Sequence, residues 1–286
     1  MHAYANLPNG VRCFYREAGS ASNPVLLLLH GFPSSSNQYR NLIPLLSKKY
    51  HVIAPDLPGF GFTTTAADHE HTFANMAITI MHLLDQLKIK KFAAYVFDYG
   101  APTLWRIALQ RPDAVTAIIS QNGSAYEEAL GEDFWAPLRT YWADPTNQDK
   151  RKALRSAALT FEATKWQYEN GEPDAENTVD PAAYHLDWAL LNRPGNMEIQ
   201  LDLFRDYGNN VALYPEVHTW FRETGVPLLA LWGKNDVIFV PQGAEAFKKD
   251  LPNAVIHFLD AGHFAVETHT EEVATKVLQF LDGLQI

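Results

Sequence analysis

Residues 92–106, FAAYVFDYGAPTLWR, constrain the fold more than any other part of the chain, because they read as a buried strand turning at once into a helix. The run 92–97 is apolar without alternation, the pattern of a strand covered on both faces. Asp98, Tyr99, Gly100 and Ala101 follow, and then an apolar-periodic helix. A turn this sharp holds its first residue in a strained conformation, so the positions two away must be small. Gly100 and Ala101 meet that need, and Val96 is the bulkiest of the set. Pro102 falls just inside the helix start, where its missing N–H leaves no bond unmade. The residue presented by the turn is Asp98, which also has a simpler reading as a helix N-cap.

Around this turn, short apolar strands alternate with helical patterns, the signature of βαβ units and a mostly parallel sheet. The run 26–29 leads into His30-Gly31-Phe32-Pro33, and further strands are expected at 51–54, 115–120, 226–232 and 255–259. Residues 10–17 suit an antiparallel edge, and 39–50 reads as a helix. Phe73, Met76, Ala77, Ile80, Leu83, Leu84 and Leu87 share one helical face, with Thr72 as N-cap and the methionines as packing residues. A last helix, 270–284, turns Val273, Val277, Phe280 and Leu281 inward. From Gly123 to about Gly225 the alternation stops, leaving helical patterns, several prolines and five of the seven tryptophans.

Two more groups lie beyond expected strand ends: Asp236 in LLALWGKNDVIF and His263 in VIHFLDAGHFAVE. With Asp98 they give the order nucleophile, acid, histidine. Asp236 also reads as a turn or cap residue, and Asp260 is a rival acid nearer the histidine in sequence. No serine lies between Phe92 and Ile119, so a serine nucleophile at the turn is excluded.

On HGFP at 30–33, DLPGFG at 56–61, VFDYG at 96–100, Asp236 in GKND and His263 in AGHF, the chain resembles the aspartate-nucleophile branch of the α/β-hydrolases. That branch holds epoxide hydrolases, haloalkane dehalogenases and fluoroacetate-type dehalogenases. The resemblance implies an α/β-hydrolase fold, a mostly parallel sheet flanked by helices. Residues 1–122 and 216–286 would form the core, and 123–215 an inserted helical cap. It implies that the backbone N–H groups of Phe32 and Tyr99 form an oxyanion hole. It makes Tyr207 and Tyr141 candidates for the two cap tyrosines of the epoxide hydrolases. Tyr141-Trp142 with Tyr207 also resembles the halide cradle of the fluoroacetate-type enzymes. Tyr99 stands where those enzymes carry arginine and where haloalkane dehalogenases and most epoxide hydrolases carry tryptophan.

The chemistry suits these residue types. A carboxylate displaces a leaving group from an sp³ carbon to give an alkyl ester on Asp98, splitting a hard hydrolysis into two steps. His263 then takes a proton from water, and Asp236 holds the imidazole's other N–H. An epoxide opens to an alkoxide and needs a proton donor, whereas a halide needs only weak N–H or O–H donors. Epoxide hydrolysis is the first expectation and dehalogenation of a haloacid or haloalkane the second. A non-hydrolytic use of the pocket, in ligand binding or ring closure, is the competitor from another class.

With 286 residues and 47% hydrophobic content, the chain can bury a full core. A net charge of −10 without basic runs argues against nucleic acid or an anionic membrane as partner. The partner expected is a small apolar or moderately polar organic substrate. Cys13 is the only cysteine, so neither an intrachain disulfide nor a multi-cysteine zinc site can form. The HEHT stretch at 69–72 lacks the spacing of a helical zinc pair, and no metal or cofactor is expected. The N-terminus lacks the pattern of a secretory signal, and no run has membrane-spanning length, so a reducing cytosol is the expected location.

Overall fold

Strands with alternate residues pointing to opposite faces can be apolar throughout only if both faces are covered, and the sheet satisfies this. In the computed structural model, which describes residues 1–284, Leu26 and Leu28 enter one apolar core while Leu27 and Leu29 enter the other. Ala93 and Tyr95 divide from Ala94 and Val96 in the same way. The eight strands are β1 (His2–Asn6), β2 (Arg12–Ala18), β3 (Val25–Leu29), β4 (His51–Pro55), β5 (Phe92–Phe97), β6 (Val115–Gln121), β7 (Leu228–Gly233) and β8 (Val255–Leu259). Their order is β1-β2-β4-β3-β5-β6-β7-β8; β1–β2 and β2–β4 pair antiparallel and the other pairs are parallel. The architecture is therefore the α/β-hydrolase fold. The half-exposed edge strand β1 carries too few buried residues to announce itself in the sequence.

One face is covered by helices Phe73–Gln86 and Gly100–Gln110, and the other by Ile43–Leu46 and Thr270–Gly283. The Thr72 hydroxyl caps the first of these, accepting the Asn75 N–H at 3.1 Å. Its apolar face is buried from Phe73 through Leu84, and burying each such side chain contributes about 1.5–3 kcal/mol. Lys88, with φ 59°, takes the left-handed conformation that ends it. The helix expected over 39–50 is shorter than its pattern, a 3₁₀ turn at Ser36–Tyr39 followed by Ile43–Leu46. Pro44 lies in the first turn of the second piece, where the absence of an N–H is tolerated.

Between β6 and β7 the described residues form no strand. Helices follow one another from Glu132–Ala143 to Gly208–Thr224, where Gly225 ends the last with φ 58°. That helix carries Pro215 in its interior and packs on Gly100–Gln110 through Trp105 and Phe221, with ring centroids 5.4 Å apart. Among the described residues no helix is long and apolar enough to cross a membrane.

Candidate active site

Three loops converge above the C-terminal ends of β3, β5 and β6, and the small residues in them are required by that crowding. A Cβ at Gly100 would run into the Leu29 carbonyl on β3. One at Gly31 would strike the Asp98 carboxylate and the Tyr99 nitrogen, and one at Gly123 would come to 2.9 Å from the Ala101 Cβ. Asp98 itself has φ 47°, a left-handed conformation that aspartate adopts more readily than most residues. Tyr99 occupies the N-cap position of the following helix, which has no side-chain cap bond. The Asp98 carboxylate instead accepts the Phe32 N–H through Oδ1 at 2.5 Å. The capping role is therefore not what this carboxylate performs.

Asp236 and His263, carried by the loops after β7 and β8, meet Asp98 at this point. His263 Nδ1 donates to Asp236 Oδ2 at 2.7 Å, and His263 Nε2 lies 4.0 Å from Asp98 Oδ2. Nε2 makes no hydrogen bond among the described residues. All three side chains are buried. Asp236 Oδ1 also accepts the Ile238 N–H at 2.7 Å, which fixes the carboxylate's rotation. Asp260, the rival acid, is exposed and engaged by Asn235 and Lys234.

A further residue of this network carries no motif. Asn122, at the end of β6 with φ 49°, is fully buried. Its Nδ2 donates to Asp236 Oδ2 at 2.7 Å, while its Oδ1 accepts the Gly233 N–H at 3.0 Å. Neighbouring Gln121 donates to the His263 carbonyl at 2.9 Å. The only sequence sign of these two is a pair of carboxamides directly after an apolar strand.

Burial pushes the Asp98 carboxyl up to about 6, although the His263 charge and the N–H groups of Phe32 and Tyr99 draw it down. Burial disfavours charge on His263, but the Asp236 and Asp98 carboxylates together outweigh it and raise the imidazole above its usual range. Any reaction that needs ionised Asp98 should therefore weaken in acid. We expect kcat/KM to fall about tenfold for each pH unit below about 6, as the fraction of carboxylate falls, in a pH–rate profile over a range where the fold is intact. Burial also holds the Tyr207 hydroxyl well above the usual phenol range, so its ionisation should add no limb near neutrality.

A cavity of 530 Å³ opens over Asp98. Phe32, Tyr99, Trp135, Phe204, Tyr207 and Ile238 are among its walls, and the exposed Asp133, Glu162 and Trp166 line its outer part. Gln167, which the sequence did not single out, is a buried polar residue of the lining. The Tyr207 hydroxyl is buried and makes no hydrogen bond of good geometry among the described residues. The other two expected substrate contacts, Tyr141 and Trp142, do not line the cavity. The Tyr141 hydroxyl instead accepts a hydrogen bond from Arg151 at 3.1 Å. Trp142 stacks behind Tyr207 with ring centroids 6.0 Å apart, and its indole N–H donates to the Phe204 carbonyl at 2.8 Å. The Trp135 indole N–H is likewise engaged, by the Ile238 carbonyl at 2.8 Å. Among the described residues, no group of three or more His, Cys, Asp or Glu is gathered to hold a metal.

Residues 24–270 match the profile of the family described as alpha/beta hydrolase fold. An uncharacterized hydrolase of Saccharomyces cerevisiae is 49% identical over 273 residues, covering 94% of this chain and 93% of the yeast protein. A haloalkane dehalogenase of Bradyrhizobium diazoefficiens is 25% identical over 299 residues, covering 95% and 91%. The structure of the epoxide hydrolase CorEH superposes with a TM-score of 0.80 at 19% identity, covering 99% of each chain.

Proposed function

This chain belongs to the alpha/beta hydrolase fold family, and on that premise we propose that it opens an epoxide through a covalent ester on Asp98. One Asp98 oxygen attacks an epoxide carbon, the ring C–O bond breaks, and the ring oxygen takes the Tyr207 proton. His263 then removes a proton from water through Nε2, and the resulting hydroxide attacks the Asp98 Cγ. The oxyanion that develops is held by the N–H groups of Phe32 and Tyr99; its collapse expels the alkoxide, which takes the proton of the new carboxyl group and leaves as part of a diol, and the proton held by His263 returns through solvent to restore the Tyr207 hydroxyl. In this reading the helices between β6 and β7 act as a cap that walls the cavity.

The observation that carries the choice of epoxide is Tyr207, a phenol on the wall of the same cavity as Asp98, whose buried hydroxyl neighbours that of Tyr214 and makes no hydrogen bond of good geometry among the described residues. A departing halide needs N–H or O–H donors, and beyond the Tyr207 hydroxyl, which would serve either leaving group, the indole N–H groups of Trp135 and Trp142 are both engaged by backbone carbonyls. A haloacid is disfavoured further: among the described residues none that lines the cavity is basic, and Asp133 and Glu162 carry like charge.

The test is Tyr207→Phe assayed against styrene oxide and against a primary alkyl bromide of similar size. Loss of a general acid lowers the rate of epoxide ester formation by about 10²- to 10⁴-fold, and bromide displacement by far less. Wild-type bromide turnover that exceeds epoxide turnover and is unaffected by Tyr207→Phe would reverse the assignment in favour of dehalogenation.

A further inference from the structure

The loops carrying Asp236 and His263 are held from above by a segment that belongs to neither. After helix Phe161–Glu169 the chain crosses them at Asn170, Gly171 and Glu172. Here three backbones touch. Gly171, with φ 83°, would bring a Cβ to 2.7 Å from the Asn235 carbonyl and 2.9 Å from the Gly262 Cα, and a Cβ at Gly262 would strike the Asn170 carbonyl. Asn235 donates to the Gly171 carbonyl at 2.8 Å, and the Asn235 N–H donates to the Ala261 carbonyl at 3.0 Å, joining the two loops to each other.

Glu172 closes this crossing. Its Oε1 accepts the Gly262 N–H at 2.9 Å, and its Oε2 accepts the Thr268 hydroxyl at 2.9 Å. Gly262 is buried and directly precedes His263, so Glu172 fixes the peptide from which the imidazole hangs. It does so from the half-buried side of the helical segment between β6 and β7, and with two hydrogen bonds to one carboxylate. The imidazole needs such support. Among the described residues its one side-chain hydrogen bond is to Asp236, and a ring displaced by about 1 Å can lower a reaction rate about 10²-fold.

We propose that Glu172 is a positioning residue for His263, making ester hydrolysis depend on the seating of the inserted helices. The proposal rests on the reading that His263 activates water against an Asp98 ester. It predicts a separation of the two steps: attack by Asp98 does not use the imidazole as a base, whereas hydrolysis does.

Rapid-quench mass spectrometry with styrene oxide would follow ester formation and decay in the wild type, Glu172→Ala and Glu172→Gln. In Glu172→Ala the ester should form at the wild-type rate and decay roughly tenfold to a hundredfold more slowly. Glutamine keeps an oxygen for the Gly262 N–H, so Glu172→Gln should restore decay to within about threefold of wild type. Wild-type decay in Glu172→Ala, or equal slowing of both steps, overturns the proposal. Should the wild type form no ester, the Asp98 reading fails separately. The positioning claim is then read from the downfield Nδ1–H proton resonance of His263. Loss of that resonance in Glu172→Ala with recovery in Glu172→Gln supports it, and an unchanged resonance in both variants overturns it.

Discussion

Asp98→Asn should leave a folded protein that turns over epoxide on the order of 10⁴-fold more slowly or worse, because it removes the nucleophile and little else. Asparagine matches aspartate in shape and tolerates the left-handed backbone that this position demands, with φ 47°. Its amide oxygen still accepts the Phe32 N–H, the bond that holds the Asp98 side chain at 2.5 Å. Alanine would be a poorer choice, since it combines positive φ with loss of that acceptor. Stability should not fall, because burial already pushes the carboxyl up to about 6 and a neutral amide carries no desolvation cost of that kind. Steady-state diol release with thermal melting as the control checks both statements. Activity within tenfold of wild type would mean that water attacks the substrate directly or that another group is the nucleophile.

His263→Gln should divide the reaction instead of abolishing it. Ester formation should continue, and ester hydrolysis should slow by about 10²- to 10⁴-fold, the usual contribution of a positioned general base. The two steps differ because the site's charge differs between them. Before attack, the Asp98 carboxylate helps raise the imidazole above its usual range. Once that carboxylate is an ester its charge is gone and Asp236 alone of the two still raises the imidazole, so more of His263 is in the neutral form that can accept a proton from water. Glutamine is preferred to alanine because the ring packs between Phe97 and Phe239, at centroid distances of 4.6 and 5.8 Å, and a large void there would disturb the loop. Pre-steady-state quench experiments should show a rapid rise in ester followed by almost no turnover. A variant that fails equally in both steps would place His263 in the attack as well.

The sheet and its flanking helices were legible because their signals are local. Both-face burial makes β3 and β5 apolar throughout, and a 3.6-residue period marks Phe73–Gln86 with Thr72 as its cap. The meeting of Asp98, Asp236 and His263 was legible for a related reason: each lies just past a strand end, and parallel strands bring those ends together. What escaped depended on how elements pack. Helix Glu132–Ala143 directs Trp135 and Leu138 into the cavity. Trp142 lies seven residues beyond Trp135, about 10 Å along the axis, which puts it behind Tyr207. Tyr141, rotated off that face, meets Arg151 instead. No periodicity in the sequence states how far a helix is shifted along its axis. Asn122 and Glu172 were silent for another reason. A carboxamide or carboxylate acquires its role only from the backbone N–H groups or side chains that fold against it, here those of Gly233, Asp236 and Gly262.

The most direct test of the account is the intact mass of His263→Gln after mixing with styrene oxide, followed by peptide mapping. The expected result is a mass gain of one substrate molecule, confined to the peptide that contains Asp98. Diol production without any adduct, or an adduct on a residue other than Asp98, would contradict it.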